Sequence, residues 1–139
     1  MTAEIFVDTN IWLYANSNAR EDRAKREIAR EVIRRRGVGL STQVMQEFYD
    51  AAVRKMRLNI APEAALEILR RMGPFPILSV SREFVLRAVE IHQRYQLRYY
   101  DAAIVAAALE LGASQLVSED FCAHQAFGRL TVVNPFHAE

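Results

Sequence analysis

Ile5-Phe6-Val7-Asp8-Thr9-Asn10-Ile11-Trp12-Leu13-Tyr14 moves from an apolar run of strand length, through a polar trio, into an amphipathic stretch. Such a run, apolar without alternation, predicts a strand covered on both faces, and the segment after it reads as a helix. Working outward, short apolar runs recur at Val38-Gly39-Leu40, Pro76-Ile77-Leu78, Gln115-Leu116-Val117 and Leu130-Thr131-Val132-Val133, most of them without alternation. Between these lie helix-like segments punctuated by Gly37, Gly73, Gly112 and Gly128, each where a left-handed C-terminal residue is wanted. Reading back from them predicts helices near 20–36, 61–72, 100–111 and 120–127. Pro62 suits a first helical position. Two more helices are expected near 42–57 and 81–96, the latter with Ser81 as N-cap and Glu83 in its first turn. Strands alternating with helices specify an α/β fold: a central parallel sheet of about five strands with helices on both faces, in one domain over 1–139. The central helix pair is expected to form a projecting hairpin between the second and third strands.

Bulk properties set bounds. A chain of 139 residues that is 51% hydrophobic and 25% charged can bury a core without staples. No apolar run is long enough to span a bilayer, so no membrane association is expected. Met1-Thr2-Ala3-Glu4 has neither the basic segment nor the apolar stretch of a signal peptide. Cys122, the one cysteine, cannot form an internal disulfide and is expected to pack rather than react. A cytoplasmic location is the expectation. Eighteen basic residues against seventeen acidic ones leave a net charge of +1, so no global field points to nucleic acid.

In a parallel sheet of this kind, ligands bind beyond the carboxyl ends of the strands, where strand order reverses. The acids near those ends therefore carry the functional reading. Asp8 ends the first strand; it is a natural helix cap, although Thr9 or Asn10 would serve equally well. Glu47 lies beside the stripe formed by Val44, Phe48 and Ala51 or Ala52, where a carboxylate is costly unless paired or metal-bound. Asp101 opens a helix, Ala102 to Leu109, that is apolar all round and must be buried. Asp120 follows the fourth strand on the side of Leu116 and Ser118, with Glu119 opposite and in reserve; its bland role is to cap 121–127. Each acid singly has a structural explanation. Converging on one sheet edge, they would repel strongly unless a divalent cation neutralised them, and hard oxygen ligands select Mg²⁺ or Mn²⁺ over zinc. His92, His124 and His137 are scattered and give no zinc spacing.

The ordered set resembles the PIN domain, particularly the VapC-type toxins of bacterial and archaeal toxin–antitoxin pairs. The matching pieces are Asp8-Thr9-Asn10, Ser41 to Glu47, Tyr100 to Ala108 and Ser118-Glu119-Asp120, which together span essentially the whole chain. The resemblance implies a PIN-like fold, an Mg²⁺- or Mn²⁺-dependent endoribonuclease, a homodimer, and an antitoxin protein as partner besides the RNA substrate. Asp8, Glu47 and Asp101 carry over as the acidic core and Asp120 as the fourth acid, both catalytic and metal-binding.

From that site chemistry, cations would bind the scissile phosphate, a carboxylate (Glu47 or Asp120) would orient water, and in-line attack would leave 5′-phosphate and 3′-hydroxyl ends. Thr9, Asn10, Ser118, Arg20 and Arg54 are candidate substrate contacts, with Arg23, Lys55 and Arg57 in further support. The helix over 20–36 is expected mainly to form surface pairs, Glu21–Lys25, Asp22–Arg26 and Glu31–Arg35. Two phosphoryl-transfer alternatives fit poorly. A haloacid-dehalogenase pattern wants an aspartate where Asn10 stands, and a receiver domain wants a late lysine that is absent. The remaining alternatives are a PIN-like module binding RNA or protein without catalysis, and a PIN nuclease of RNA processing or decay.

Overall fold

The computed structural model describes residues 1–137. Each expected strand forms: β1 (Ile5–Val7), β2 (Val38–Ser41), β3 (Ile77–Leu78), β4 (Gln115–Val117) and β6 (Leu130–Val133). A sixth, β5 (Ala126–Phe127), was not expected. The helices are α1 (Thr9–Asn16), α2 (Arg23–Ile33), α3 (Thr42–Arg54), α4 (Pro62–Arg71), α5 (Arg82–Tyr95) and α6 (Tyr99–Glu110). Short 3-10 turns, Arg20–Asp22 and Met56–Leu58, precede α2 and follow α3.

The sheet runs β3-β2-β1-β4-β6-β5, parallel throughout except for the antiparallel β5–β6 pair. Strand order reverses between β1 and β4: from β1 the chain builds outward to β2 and β3, then returns to the other side with β4. All residues of β1 and β2 are buried, as strands covered on both faces must be. α3 packs on α4 between β2 and β3, as the hairpin expectation required. Ser81 caps α5, its hydroxyl accepting the Phe84 N–H at 3.1 Å, and Pro62 opens α4.

One expected helix is absent. Residues 120–127 turn and then pair with β6 instead: Ala126 faces Thr131 and Phe127 faces Leu130. Backbone bonds extend this pairing, His124 N–H to the Val132 carbonyl at 3.0 Å and Val132 N–H to the Gln125 carbonyl at 2.8 Å. Gly128, read as a helix stop, is the first residue of the two-residue hairpin turn, at φ +62°. A helix end and such a turn demand the same left-handed residue, so the glycine alone does not separate them. Cys122 is exposed rather than packed. Among the described residues, no helix is long and apolar enough to cross a membrane.

Gly39 is a point of close approach in β2. Beside Phe6 of β1, it leaves no room for a side chain: a Cβ there would stand 2.6 Å from the Ala3 Cβ and 3.1 Å from Leu111 Cδ1. Gly39→Ala is expected to destabilise the fold by about 1–3 kcal/mol, the range for overpacking a filled core. Thermal unfolding followed by circular dichroism checks this; an unchanged midpoint would show that β1 and β2 can spread.

Candidate active site

The reversal of strand order puts the ends of β1 and β4 side by side, and Asp8 and Ser118 sit just beyond them. Of the three possible caps Asp8, Thr9 and Asn10, it is Asp8 that caps α1: its Oδ1 accepts the Thr9 N–H at 2.8 Å. Its Oδ2 accepts the Ser118 hydroxyl at 2.7 Å across the β1–β4 seam. The residue is 5% exposed, and both partners are neutral. Burial raises its pKa from 3.8 to about 7; the bonds from Ser118 and Thr9 oppose the rise, and the charges of Asp120 and Glu47 add to it. The capping role and the functional candidacy thus coexist in one carboxylate.

Glu47 projects from α3, half-buried beside the core stripe. The Thr9 hydroxyl donates to its Oε1 at 2.8 Å and the Gln43 amide to its Oε2 at 3.2 Å. Asp101 lies in the first turn of α6 rather than at its cap, which is Arg98, whose side chain makes no capping bond. Its position there favours a negative charge, because the helix N-terminus is the positive end of the backbone dipole. The rest of that helix behaves as expected, with Ala102 to Ala108 all buried.

Asp120 has no helix to cap, so its bland reading falls with the missing helix. Its Oδ2 accepts the Asn10 side-chain amide at 2.8 Å, and its backbone N–H donates to the Ser118 hydroxyl at 3.1 Å. Asn10 also accepts the Glu119 N–H at 3.4 Å. Glu119 pairs with Lys25 at 3.0 Å, an ammonium also held by the Tyr14 hydroxyl at 3.3 Å and lying over the Tyr14 and Phe136 rings. That bond leads the causes that raise the Lys25 pKa.

All of these acids line one pocket of about 490 Å³: Asp8, Glu47, Asp101, Glu119 and Asp120, joined by Asp50. Among the described residues, no three His, Cys, Asp or Glu side chains make a ready-made cation-binding group. The acids therefore surround a shared space instead of meeting at a point. Their donor set still fits a hard divalent cation: every group is a carboxylate, and Asp8 is buried against neutral partners alone.

Basic residues line the same pocket: Arg54, Lys55, Arg57 and Arg98. Arg54 is engaged with Asp50 at 3.4 Å and Arg57 with Asp22 at 2.8 Å. Lys55 and Arg98 have no ion-pair partner among the described residues. Of the candidate substrate contacts, Thr9, Asn10 and Arg54 line the pocket, whereas Arg20, Arg23 and the fully buried Ser118 do not. None of the expected pairs Glu21–Lys25, Asp22–Arg26 and Glu31–Arg35 forms among the described residues: Lys25 reaches Glu119, Asp22 takes Arg57, and Arg26 donates to the Ser17 and Ala19 carbonyls. Sequence reasoning passed over Gln43 and Arg98. Gln43 had a usable signal, one helical turn before Glu47; Arg98 had none.

Residues 5–123 match the model of the PIN domain family. No curated protein matches the chain in sequence. Among solved structures, a toxin–antitoxin complex from Klebsiella pneumoniae is similar over 98% of this chain and 100% of that one, with a TM-score of 0.68 and 20% identity. VapC20 of Mycobacterium tuberculosis, described as a sarcin–ricin-loop-cleaving toxin, gives a TM-score of 0.64 at 22% identity over 81% of this chain and 87% of that one. VapBC2 of Rickettsia felis, bound to a DNA fragment from its promoter, gives 0.62 at 16% identity over 92% and 96%.

The raised pKa of Asp8 has a sign that stability measurements can read. The folded state holds a proton that the unfolded chain releases near pH 4, so the group's stabilising contribution is lost as pH rises from about 4 to about 7. Above that window its buried charge is a burden on the order of a few kcal/mol. Asp8→Asn, which can still cap α1, is expected to unfold several degrees higher than the unaltered protein at pH 8 in EDTA. The gap should close towards pH 5. A gap independent of pH would mean that Asp8 is ionised and well solvated in the fold.

Proposed function

The chain belongs to the PIN domain family, and from that premise we propose that it is a metal-dependent endoribonuclease, the toxin of a toxin–antitoxin pair. The observation that carries this reading is the gathering of Asp8, Glu47, Asp101 and Asp120 around one pocket at the point where strand order reverses. The basic residues that line the same pocket suit a polyanionic substrate.

Asp8, Glu47 and Asp101 are assigned to hold Mg²⁺ or Mn²⁺. That cation supplies Lewis acidity to the scissile phosphate and counter-charge to the buried acids. Thr9 and Ser118 fix the two oxygens of Asp8; Thr9 also fixes Glu47. Asp120 is turned by Asn10 so that Oδ2 is occupied and Oδ1 is left to orient water and accept its proton. Attack in line with the leaving 3′-oxygen gives 5′-phosphate and 3′-hydroxyl ends. Lys55 and Arg98, without ion-pair partners among the described residues, grip the flanking phosphates; Arg54, which lines the same pocket, assists. Lys25 withdraws Glu119 from the set, which leaves Asp120 as the fourth acid. The similar toxin–antitoxin complexes support an antitoxin partner, and a homodimer in the cytoplasm completes the reading.

Purified protein is expected to cleave RNA in Mn²⁺ or Mg²⁺, to stop in EDTA, and to lose at least about a hundredfold in rate as Asp101→Asn. Cleavage surviving both EDTA and the substitution, or products ending in 2′,3′-cyclic phosphate, would overturn the mechanism. Lys55→Ala and Arg98→Ala are expected to weaken RNA binding across unrelated sequences. Each should also lower the slope of log affinity against log salt by about one. Fluorescence anisotropy over a salt series reads both effects; an unchanged slope would remove the residue from the phosphate-binding wall.

A further inference from the structure

Gln43 is 8% exposed, on the face of α3 one helical turn before Glu47. Its side-chain NH₂ has two protons, and both are used. One goes to Glu47 Oε2 at 3.2 Å and the other to the Tyr100 carbonyl at 3.1 Å. Both neighbours are acceptors only, so the amide nitrogen, not its oxygen, must face them. The Tyr100 carbonyl belongs to the peptide unit that leads into Asp101. Among the described residues this is the one hydrogen bond between α3 and α6, and it joins the two helices that carry Glu47 and Asp101.

From this we infer that Gln43 is a positioning residue: it sets the Glu47 carboxylate and the peptide carrying Asp101 at a fixed separation, so that both acids face one cation. The inference rests on the metal-dependent reading above and deepens it. The choice of an amide is physically pointed. A lysine or arginine at this position would reach the same two acceptors but would neutralise Glu47, which the cation needs charged. A neutral donor orients the carboxylate and leaves its charge free. With Thr9 holding the other oxygen at 2.8 Å, Glu47 is clamped by neutral donors from two elements. Residues that hold a ligand in this way typically change metal affinity by about 10–100-fold when removed.

The test is a double-mutant cycle read by calorimetric titration with Mn²⁺. Gln43→Met, close in volume and without donors, is expected to weaken Mn²⁺ binding about tenfold in the otherwise unaltered protein. In the Glu47→Gln background, the same change is expected to weaken it less than twofold, because the carboxylate it positions is gone. An equal loss in both backgrounds, or no loss in either, overturns the positioning role. A purely structural residue would give that equal loss. A second measurement needs no substitution: the Gln43 side-chain amide signals in ¹⁵N-resolved NMR should exchange slowly with water and shift when Mg²⁺ is added. Unshifted signals at saturating Mg²⁺ overturn the inference. If the unaltered protein binds neither cation, the metal-dependent reading fails and takes this inference with it. Binding that survives Gln43→Met intact overturns the inference alone.

Discussion

Where β1 and β4 end side by side, the Ser118 hydroxyl meets the Asp8 carboxylate at 2.7 Å in a place with almost no water. Among the described residues no cationic side chain pairs with the carboxylate buried there, and much of the surrounding arrangement follows from that. The same hydroxyl accepts from the Asp120 backbone, so one serine sets the depth of one acid and the direction of the next. Asn10, two residues after Asp8, reaches the same turn from the other side and holds Asp120 by its side chain. Thr9 between them faces Glu47. Three successive residues after one short strand thus supply one carboxylate and hold two others, because the chain turns directly from strand into helix at Asp8.

The arginines divide between frame and site in a way that charge counting does not anticipate. Asp22 is buried at the α1–α2 junction; burial alone would raise its pKa, but the Ser17 hydroxyl and the Arg57 guanidinium outweigh that and lower it. Arg26 and Arg30 spend their donors on backbone carbonyls of Ser17, Ala19 and Ala15, closing the turn out of α1. These bonds hold the scaffold under the pocket. They also explain why a chain with so many arginines leaves so few of them facing the acids.

The strands were legible because each is a short apolar run, and a strand buried on both faces has no other signature. Every expected helix except the one over 120–127 was legible for equally local reasons, as was the cap at Ser81. The segment after Asp120 was not. Phe121 to Ala126 contains nothing that forbids a helix, and its pairing with β6 is decided by partners several residues away across a turn. The acids were legible because they stand at element boundaries, where polar residues interrupt apolar runs. Their holders were less so. Lys25 and Glu119 lie 94 positions apart, Asn10 and Asp120 110 apart, and no local pattern announces either pairing. Asp101 was placed at a helix start for the right reason, its buried alanine-rich body, but the helix begins two residues earlier because nothing at Tyr99 or Tyr100 opposes a helical backbone.

The sheet begins and ends on its two briefest strands, β3 and β5, each only two residues long. An intruding extended chain would find two residues' worth of open backbone on either flank, too few to anchor an added strand. Propagation of the sheet from molecule to molecule, the usual route from native β-structure into fibrils, is blunted at both margins. Whatever associates with this protein must therefore be recognised by side chains on its helices and at its pocket, and the specificity of that association is written in those side chains rather than in backbone hydrogen bonds.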